Sequence, residues 1–179
     1  YSRFWHKFLY DIGMVPTSEP YRKRTSHGLV LGENGEKMSK SRGNVVNPDE
    51  MVEKCGADAF RLYEMFMGAF DQPIPWSTNG LIGMSRFLGR VWELQEKVGR
   101  PPSADDHDDS ITRALHRTIQ RVGDRVEAMK FNTAIAALME LVNEFGALER
   151  IRKDQWETFL KLLAPFAPHI AEELWHVGR

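Results

Sequence analysis

Apolar positions along this chain recur mostly at helical intervals. Trp5, Phe8, Leu9 and Ile12 sit at i, i+3, i+4 and i+7, while Arg3, Lys7 and Asp11 fall off that stripe. The spacing predicts a helix with one buried face that stops at Gly13. Polar, proline-bearing residues 16–24 read as a loop, and residues 27–31 (His-Gly-Leu-Val-Leu) as a short strand running into a turn with Gly32, Asn34 and Gly35. Further on, Asn47 is a good N-cap, Pro48 suits a first helical position, and Asp49 and Glu50 favour the positive helix end. That helix should run to about Cys55 and stop at Gly56. Asp58 can cap the next one, which carries Ala59, Phe60, Leu62, Tyr63 and Phe66, and residues 68–75 with Pro73 and Pro75 break it.

From Thr78 the period is helical throughout. Leu81, Met84, Leu88, Val91 and Val98 mark one stripe with Trp92 beside it. Leu115, Ile119, Val122, Val126 and Met129 mark a second, after a Pro- and Asp-rich linker over 99–110. Asn132 is the expected cap of a helix faced by Ile135, Leu138, Val142 and Phe145. Asp154 with Glu157 resembles a capping box ahead of Phe159, Leu160 and Leu163. Pro165 ends that run and Pro168 opens a last helix with Ile170, Leu174 and Trp175. One apolar stripe per helix and short connections predict an antiparallel bundle, with no repeats and no strand alternation.

At 42% hydrophobic and 27% charged residues, the 179-residue chain has the balance of one or two folded domains and not of a disordered segment. No apolar run approaches the roughly 20 residues of a membrane span. One cysteine, Cys55, excludes an internal disulfide and fits a reducing, cytoplasmic setting. A net charge of −1 conceals asymmetry. Through Gly43, Arg3, Lys7, Arg22, Lys23, Arg24, Lys37, Lys40 and Arg42 face only Asp11, Glu19, Glu33 and Glu36, so this quarter suits a phosphate-facing surface. Acid gathers instead at Asp105, Asp106, Asp108 and Asp109, in a stretch that reads as a solvated loop. A start at Tyr1, straight into an amphipathic helix, suggests part of something larger.

The candidate chemistry lies at Lys37-Met38-Ser39-Lys40-Ser41-Arg42, between Gly35 and Gly43. Glycine lets the main chain approach a polyphosphate closely and lysine supplies point charge. A solvated hairpin tip, or a phosphorylation site at Ser39 or Ser41, is the plainer reading of such a cluster. A Walker loop does not fit, because Glu36 stands where glycine is needed and Met38 follows Lys37.

Lys37 to Ser41 is, letter for letter, the KMSKS signature of class I aminoacyl-tRNA synthetases, and the chain resembles the leucyl-tRNA synthetases along its length. The resemblance is carried by Phe4-Trp5-His6-Lys7, Leu9-Tyr10-Asp11, Gly13, residues 42–48 (Arg-Gly-Asn-Val-Val-Asn-Pro), residues 56–59 and residues 61–68. Residues 131–140 and 163–175 carry it through the second half. Cys55 and Ala69 depart mildly from the family pattern, and His-x-Gly-His, the other half of the family's ATP site, is missing. This polypeptide alone is therefore expected to be inactive.

The resemblance implies a mostly α fold: a small α+β stem-contact module with the KMSKS loop, then an antiparallel helical bundle. It implies the end of a Rossmann-like catalytic domain over 1–43, the stem-contact module over 44–77, and an anticodon-binding-type bundle over 78–179. ATP would be the substrate gripped by Lys37, Met38, Ser39, Lys40 and Ser41, with Mg²⁺ accompanying it. Lys40 would be the main contact with the departing phosphates and Lys37 its partner. Leucine and tRNA(Leu) would be the other partners of a monomeric enzyme. Arg86, Arg90, Arg113, Arg117, Arg121 and Arg125 are candidate RNA contacts on solvent faces. A valyl or isoleucyl enzyme, a non-catalytic tRNA-binding module and a plain helical scaffold are the alternatives. His169, Glu172, Glu173 and His176 share one predicted helix but lack the third soft ligand that a zinc site wants.

Overall fold

A computed structural model describes residues 1–99 and 109–177. Helices α1 (Ser2–Asp11), α2 (Pro48–Cys55) and α3 (Ala57–Phe66) precede α4 (Thr78–Leu94). Then come α5 (Asp109–Glu127), α6 (Phe131–Ala147), α7 (Lys153–Leu163) and α8 (Pro168–Val177). Two parallel pairs of very short strands complete the architecture: β1 (Val30–Leu31) with β2 (Ile74–Pro75), and β3 (Val98–Gly99) with β4 (Ile151–Arg152). The second pair corrects the expectation that everything after Thr78 is helical. Two residues per strand leave no alternation for a periodicity argument to detect.

The residues beside each helix explain most of the termini. Asn47 accepts from the Asp49 N–H at 3.2 Å and Pro48 opens α2, as expected. Gly56 ends α2 at φ 83°, ψ 154°, a backbone region open essentially to glycine alone. Three expected caps differ. Asp58 lies inside α3 and does not cap it; its carboxylate goes to α8. Asn132 is the second residue of α6, whose N-cap is Lys130. Asp154 is chelated by Arg152 at 2.7 and 3.0 Å instead of entering a capping box with Glu157.

One continuous core runs from Ala59 and Leu62 of α3 through α4–α7 to Leu174 of α8. Helix α6 is its centre: Ala134, Ile135, Ala137, Leu138, Leu141, Val142 and Phe145 are all buried, so it is apolar almost all round. Phe159 meets Phe145 edge-on at 5.8 Å and stacks on Trp156 at 5.3 Å. Two buried stripes are rotated from their expected positions. In α4, Phe87 is buried, Leu88 only half-buried, and Trp92 is exposed rather than core. In α5 the buried face is Ile111, Ala114, Leu115, Thr118 and Val122, while Ile119 and Val126 reach solvent. Thr118 can be buried because its hydroxyl donates to the Ala114 carbonyl at 2.9 Å.

Helix α1 forms as expected, but its apolar face is not buried. Phe4, Trp5, Phe8 and Ile12 are exposed, and the polar side is the one tied down. Arg3 and Lys7 hold Glu19 at 2.8 and 3.0 Å, and His6 Nε2 lies 2.7 Å from the Thr17 carbonyl. The hydrogen bond from Arg3, then that from Lys7, pull the Glu19 carboxyl down to about 2. Most of the 99–110 linker, including Asp105, Asp106 and Asp108, lies outside the described residues, as does the Asp109 side chain.

Candidate functional site

Strand β1 delivers the lysine cluster. The Gly28 N–H donates to the Phe70 carbonyl at 2.8 Å, and the Ile74 and Trp76 N–H groups donate to Leu29 and Leu31 at 2.9 Å. A Cβ on residue 28 would lie 1.8 Å from the Gln72 carbonyl oxygen, so the chain can pass there only as glycine. Beyond Leu31 the backbone reverses in a tight turn. The Gly32 N–H donates to Glu36 O at 2.8 Å, the Gly35 N–H to Gly32 O at 2.9 Å, and the Glu36 N–H to Asn34 Oδ1 at 3.1 Å. Gly35 supplies the positive φ of 75° that this reversal needs. Lys37 then bridges back antiparallel to Leu31.

Met38 turns inward and packs against the core, anchoring the segment from beneath. Ser39 is extended, residues Lys40–Arg42 make one 3-10 turn, and Gly43 closes it at φ 64°. Asn44 clamps the whole loop. Its Oδ1 accepts from the Ser39 N–H at 2.8 Å, and its Nδ2 donates to the Lys37 carbonyl at 3.4 Å. A Cβ on residue 32 would come within 3.0 Å of both the Asn34 and the Asn44 side chains, so Gly32 makes room for them.

The cations are not equivalent. Arg42 is neutralised by Glu36 at 3.0 Å. Lys37 and Lys40 are exposed, and neither ammonium group has an ion-pair or hydrogen-bond partner among the described residues. Ser39 and Ser41 face each other, oxygen to oxygen at 2.8 Å. The five expected site residues are thus brought together in one loop, with Met38 as its root and two ammonium groups projecting.

Sequence reasoning missed what braces it. Glu33 in the turn accepts from the Thr78 hydroxyl at 3.0 Å, and Thr78 Oγ1 accepts from the nearly buried Trp76 indole N–H at 3.1 Å. The Ser77 N–H, in turn, donates to the Tyr63 hydroxyl at 2.6 Å. Burial pushes the Tyr63 phenol up, which keeps it neutral in this chain of contacts. A cleft of about 390 Å³ opens behind the loop between Asn44, Glu50 and Trp76. Only Asn44 had a local signal, a short polar amide directly after a glycine; Thr78 and Trp76 lie too far along the chain to be paired with the loop in advance.

Of the expected RNA contacts, Arg113, Arg117, Arg121 and Arg125 form one exposed row at i+4 spacing on α5. Arg121 is paired with Glu140, which raises the guanidinium and lowers the carboxyl. Arg90 donates to Asn143 at 2.8 Å, and Arg86 is exposed. His169 Nδ1 lies 2.8 Å from Asp58, and His176 Nε2 lies 2.9 Å from Glu172. Among the described residues no three His, Cys, Asp or Glu groups converge on one point, and no helix is long and apolar enough to cross a membrane.

Comparison with known proteins gives this geometry its context. Residues 1–74 match the family described as tRNA synthetases class I (I, L, M and V), and residues 108–179 match the anticodon-binding domain of tRNA ligase. Each half of the chain thus resembles a domain of the tRNA synthetases. Within them it is similar to leucine–tRNA ligases: 54% identical over 177 residues to that of Alkaliphilus oremlandii and 51% over 179 residues to that of Chlorobium chlorochromatii. These matches span 99% and 98% of the chain but only 22% of either relative, so the chain corresponds to about a fifth of their length. Its fold superposes on the LeuRS of an Agrobacterium radiobacter LeuRS–tRNA–LeuAMS ternary complex with a TM-score of 0.82. That match has 35% identity and covers 99% of this chain and 25% of the other. A Mycobacterium tuberculosis methionyl-tRNA synthetase shares the fold at a TM-score of 0.65 and 20% identity, over 96% of this chain and 40% of its own.

Proposed function

We propose that this chain is the part of a leucine–tRNA ligase that closes on ATP during leucyl-adenylate formation and presents a helical surface to tRNA(Leu). The observation that carries the reading is the unequal treatment of the loop cations: Arg42 is neutralised while, among the described residues, Lys37 and Lys40 have no counter-charge and stand on a backbone clamped by Asn44. In adenylate formation a leucine carboxylate oxygen bonds to the α-phosphorus of ATP, and the bond to the pyrophosphate oxygen breaks. Negative charge grows on the leaving group, and ammonium groups placed there stabilise it where it develops. Lys40 takes the departing phosphates and Lys37 assists; Ser39 and Ser41 can exchange their mutual contact for phosphate oxygens. Mg²⁺ would come with ATP and be held by phosphate and water oxygens, since both carboxylates of the turn are already engaged, Glu36 by Arg42 and Glu33 by the Thr78 hydroxyl.

The remainder divides accordingly into residues 1–43 with the loop, a stem-contact module over 44–77 and an anticodon-binding-type bundle over 78–179. The enzyme is read as monomeric and cytoplasmic. The test is leucine-dependent ATP–pyrophosphate exchange by the intact synthetase. Lys40→Ala should lower it on the order of 10²–10³-fold, the usual loss for one well-placed donor. Near wild-type exchange in that variant would overturn the assignment, and exchange driven by valine or isoleucine in place of leucine would move it to another class Ia enzyme.

A further inference from the structure

Asp58 is the one acidic residue among the buried side chains described, only 7% exposed, and adenylate formation has no use for it. It accepts from the Ile170 N–H at 2.7 Å and the His169 N–H at 3.4 Å, with His169 Nδ1 at 2.8 Å. These are the first free backbone donors of α8, because Pro168 at its start has none. One turn further along α3, on the same face, Arg61 donates to the Pro165 carbonyl at 3.0 Å and the Phe166 carbonyl at 3.4 Å. A carboxylate therefore meets the positive end of α8, and a guanidinium meets the carbonyls of the corner that leads into it. The two residues grip one turn of chain more than a hundred positions away in sequence. Ordinary capping would need only one of them.

We infer that Asp58 and Arg61 are positioning residues: they lock the module behind the lysine loop to the α7–α8 corner, and so fix where RNA held on the bundle stands relative to the loop. This rests on the functional reading above. Helix α3 is the natural place for such a lock. It packs on α2, which follows the loop directly, and on α4, α6 and α8 of the bundle. Gly56, the only residue between α2 and α3, leaves little slack for the two helices to move separately. With the lock intact, loop and bundle move as one body. Without it, the loop can still close on ATP, but the RNA terminus arrives misplaced, and a displacement of about 1 Å can cost on the order of 10²-fold in rate.

The experiment compares leucine-dependent pyrophosphate exchange with tRNA charging in the intact synthetase carrying Asp58→Ala, Asp58→Asn or Arg61→Ala. Asp58→Ala should leave exchange within about twofold of wild type while the kcat of charging falls on the order of 10²-fold. Asp58→Asn should recover most of the charging, since an amide oxygen still accepts from the Ile170 N–H. Arg61→Ala leaves every Asp58 contact to α8 in place and frees the exposed Pro165 carbonyl to water, so with its thermal midpoint measured beside wild type it should show the same split in milder form. Wild-type charging in a folded Arg61→Ala enzyme would overturn the proposal. So would a parallel fall of exchange, charging and thermal midpoint with no recovery in Asp58→Asn. The exchange arm tests the reading on which this rests; only the ratio of charging to exchange tests the lock.

Discussion

Each side chain of the lysine loop is specified by shape as well as charge. Lys40 ends in a compact ammonium, whereas arginine would place a planar fork where a point charge belongs, so Lys40→Arg should keep the charge and still lose most of the exchange activity. Asn44 is a different kind of residue: it touches no phosphate in this reading but holds the Ser39 N–H and the Lys37 carbonyl at once. Asn44→Ala leaves the half-buried Ser39 amide without its acceptor, a loss of roughly 1 kcal/mol, or about fivefold. The expected outcome is a severalfold higher KM for ATP in the exchange assay with a nearly unchanged thermal midpoint. Asn44→Asp keeps the acceptor for Ser39 and should lie between the two. An Asn44→Ala enzyme whose KM for ATP matches wild type would remove the clamp from the account. The five letters of the motif were legible in advance, and so was the exposure of the lysines. Their bracing by Thr78 and Trp76 was not, because nothing local marks a hydroxyl as the partner of a carboxylate forty-five positions earlier.

Among the helices, the readable features were those whose cause lies within a few residues. Asn47-Pro48 starts α2 and Gly56 stops it, because an amide cap, a fixed proline φ and a glycine-only backbone all act locally. Gly56→Ala would force a Cβ into a region with φ 83° and ψ 154°, at a cost of about 1–3 kcal/mol. No atom lies within 4 Å of the added Cβ, so the penalty should be purely conformational. Urea unfolding of the chain should show the midpoint fall with an unchanged slope; an alanine variant as stable as wild type would mean that the helices can join some other way. Caps supplied from a distance were misassigned for the converse reason. Asp58 has the right type and place to cap its own helix, yet α8 offers unsatisfied amides to the same carboxylate. The rotated stripe of α5 arose similarly. Counting strongly apolar residues favours Ile119 and Val126, while the contact with α6 selects the smaller Ala114 and Thr118.

For the molecule as a whole, a net charge of −1 gives no attraction for RNA, so affinity has to come from arrangement. The α5 row supplies one. Successive members stand about 6 Å apart along the axis. Arg113, Arg117 and Arg125 have no partner among the described residues, whereas Arg121 must first give up Glu140. A phosphate contact releases condensed counterions, so each lost contact should flatten the dependence of log affinity on log salt by about one unit. Replacing Arg113, Arg117 and Arg125 together by glutamine should thus reduce the slope for tRNA binding by about two to three, measured by titration over a range of KCl concentrations. Arg121→Gln alone should change it less than any of the other three, because its charge is already partly spent on a carboxylate. An unaltered slope in the triple variant would place the RNA on another face, and a slope lost equally from Arg121→Gln would mean that the pair with Glu140 opens at no cost. The α1 face offers no such competitor. Phe4, Trp5 and Phe8 are exposed but carry no charge, so they add nothing to the slope, and it is the fall between wild type and the triple variant that reports on the bundle.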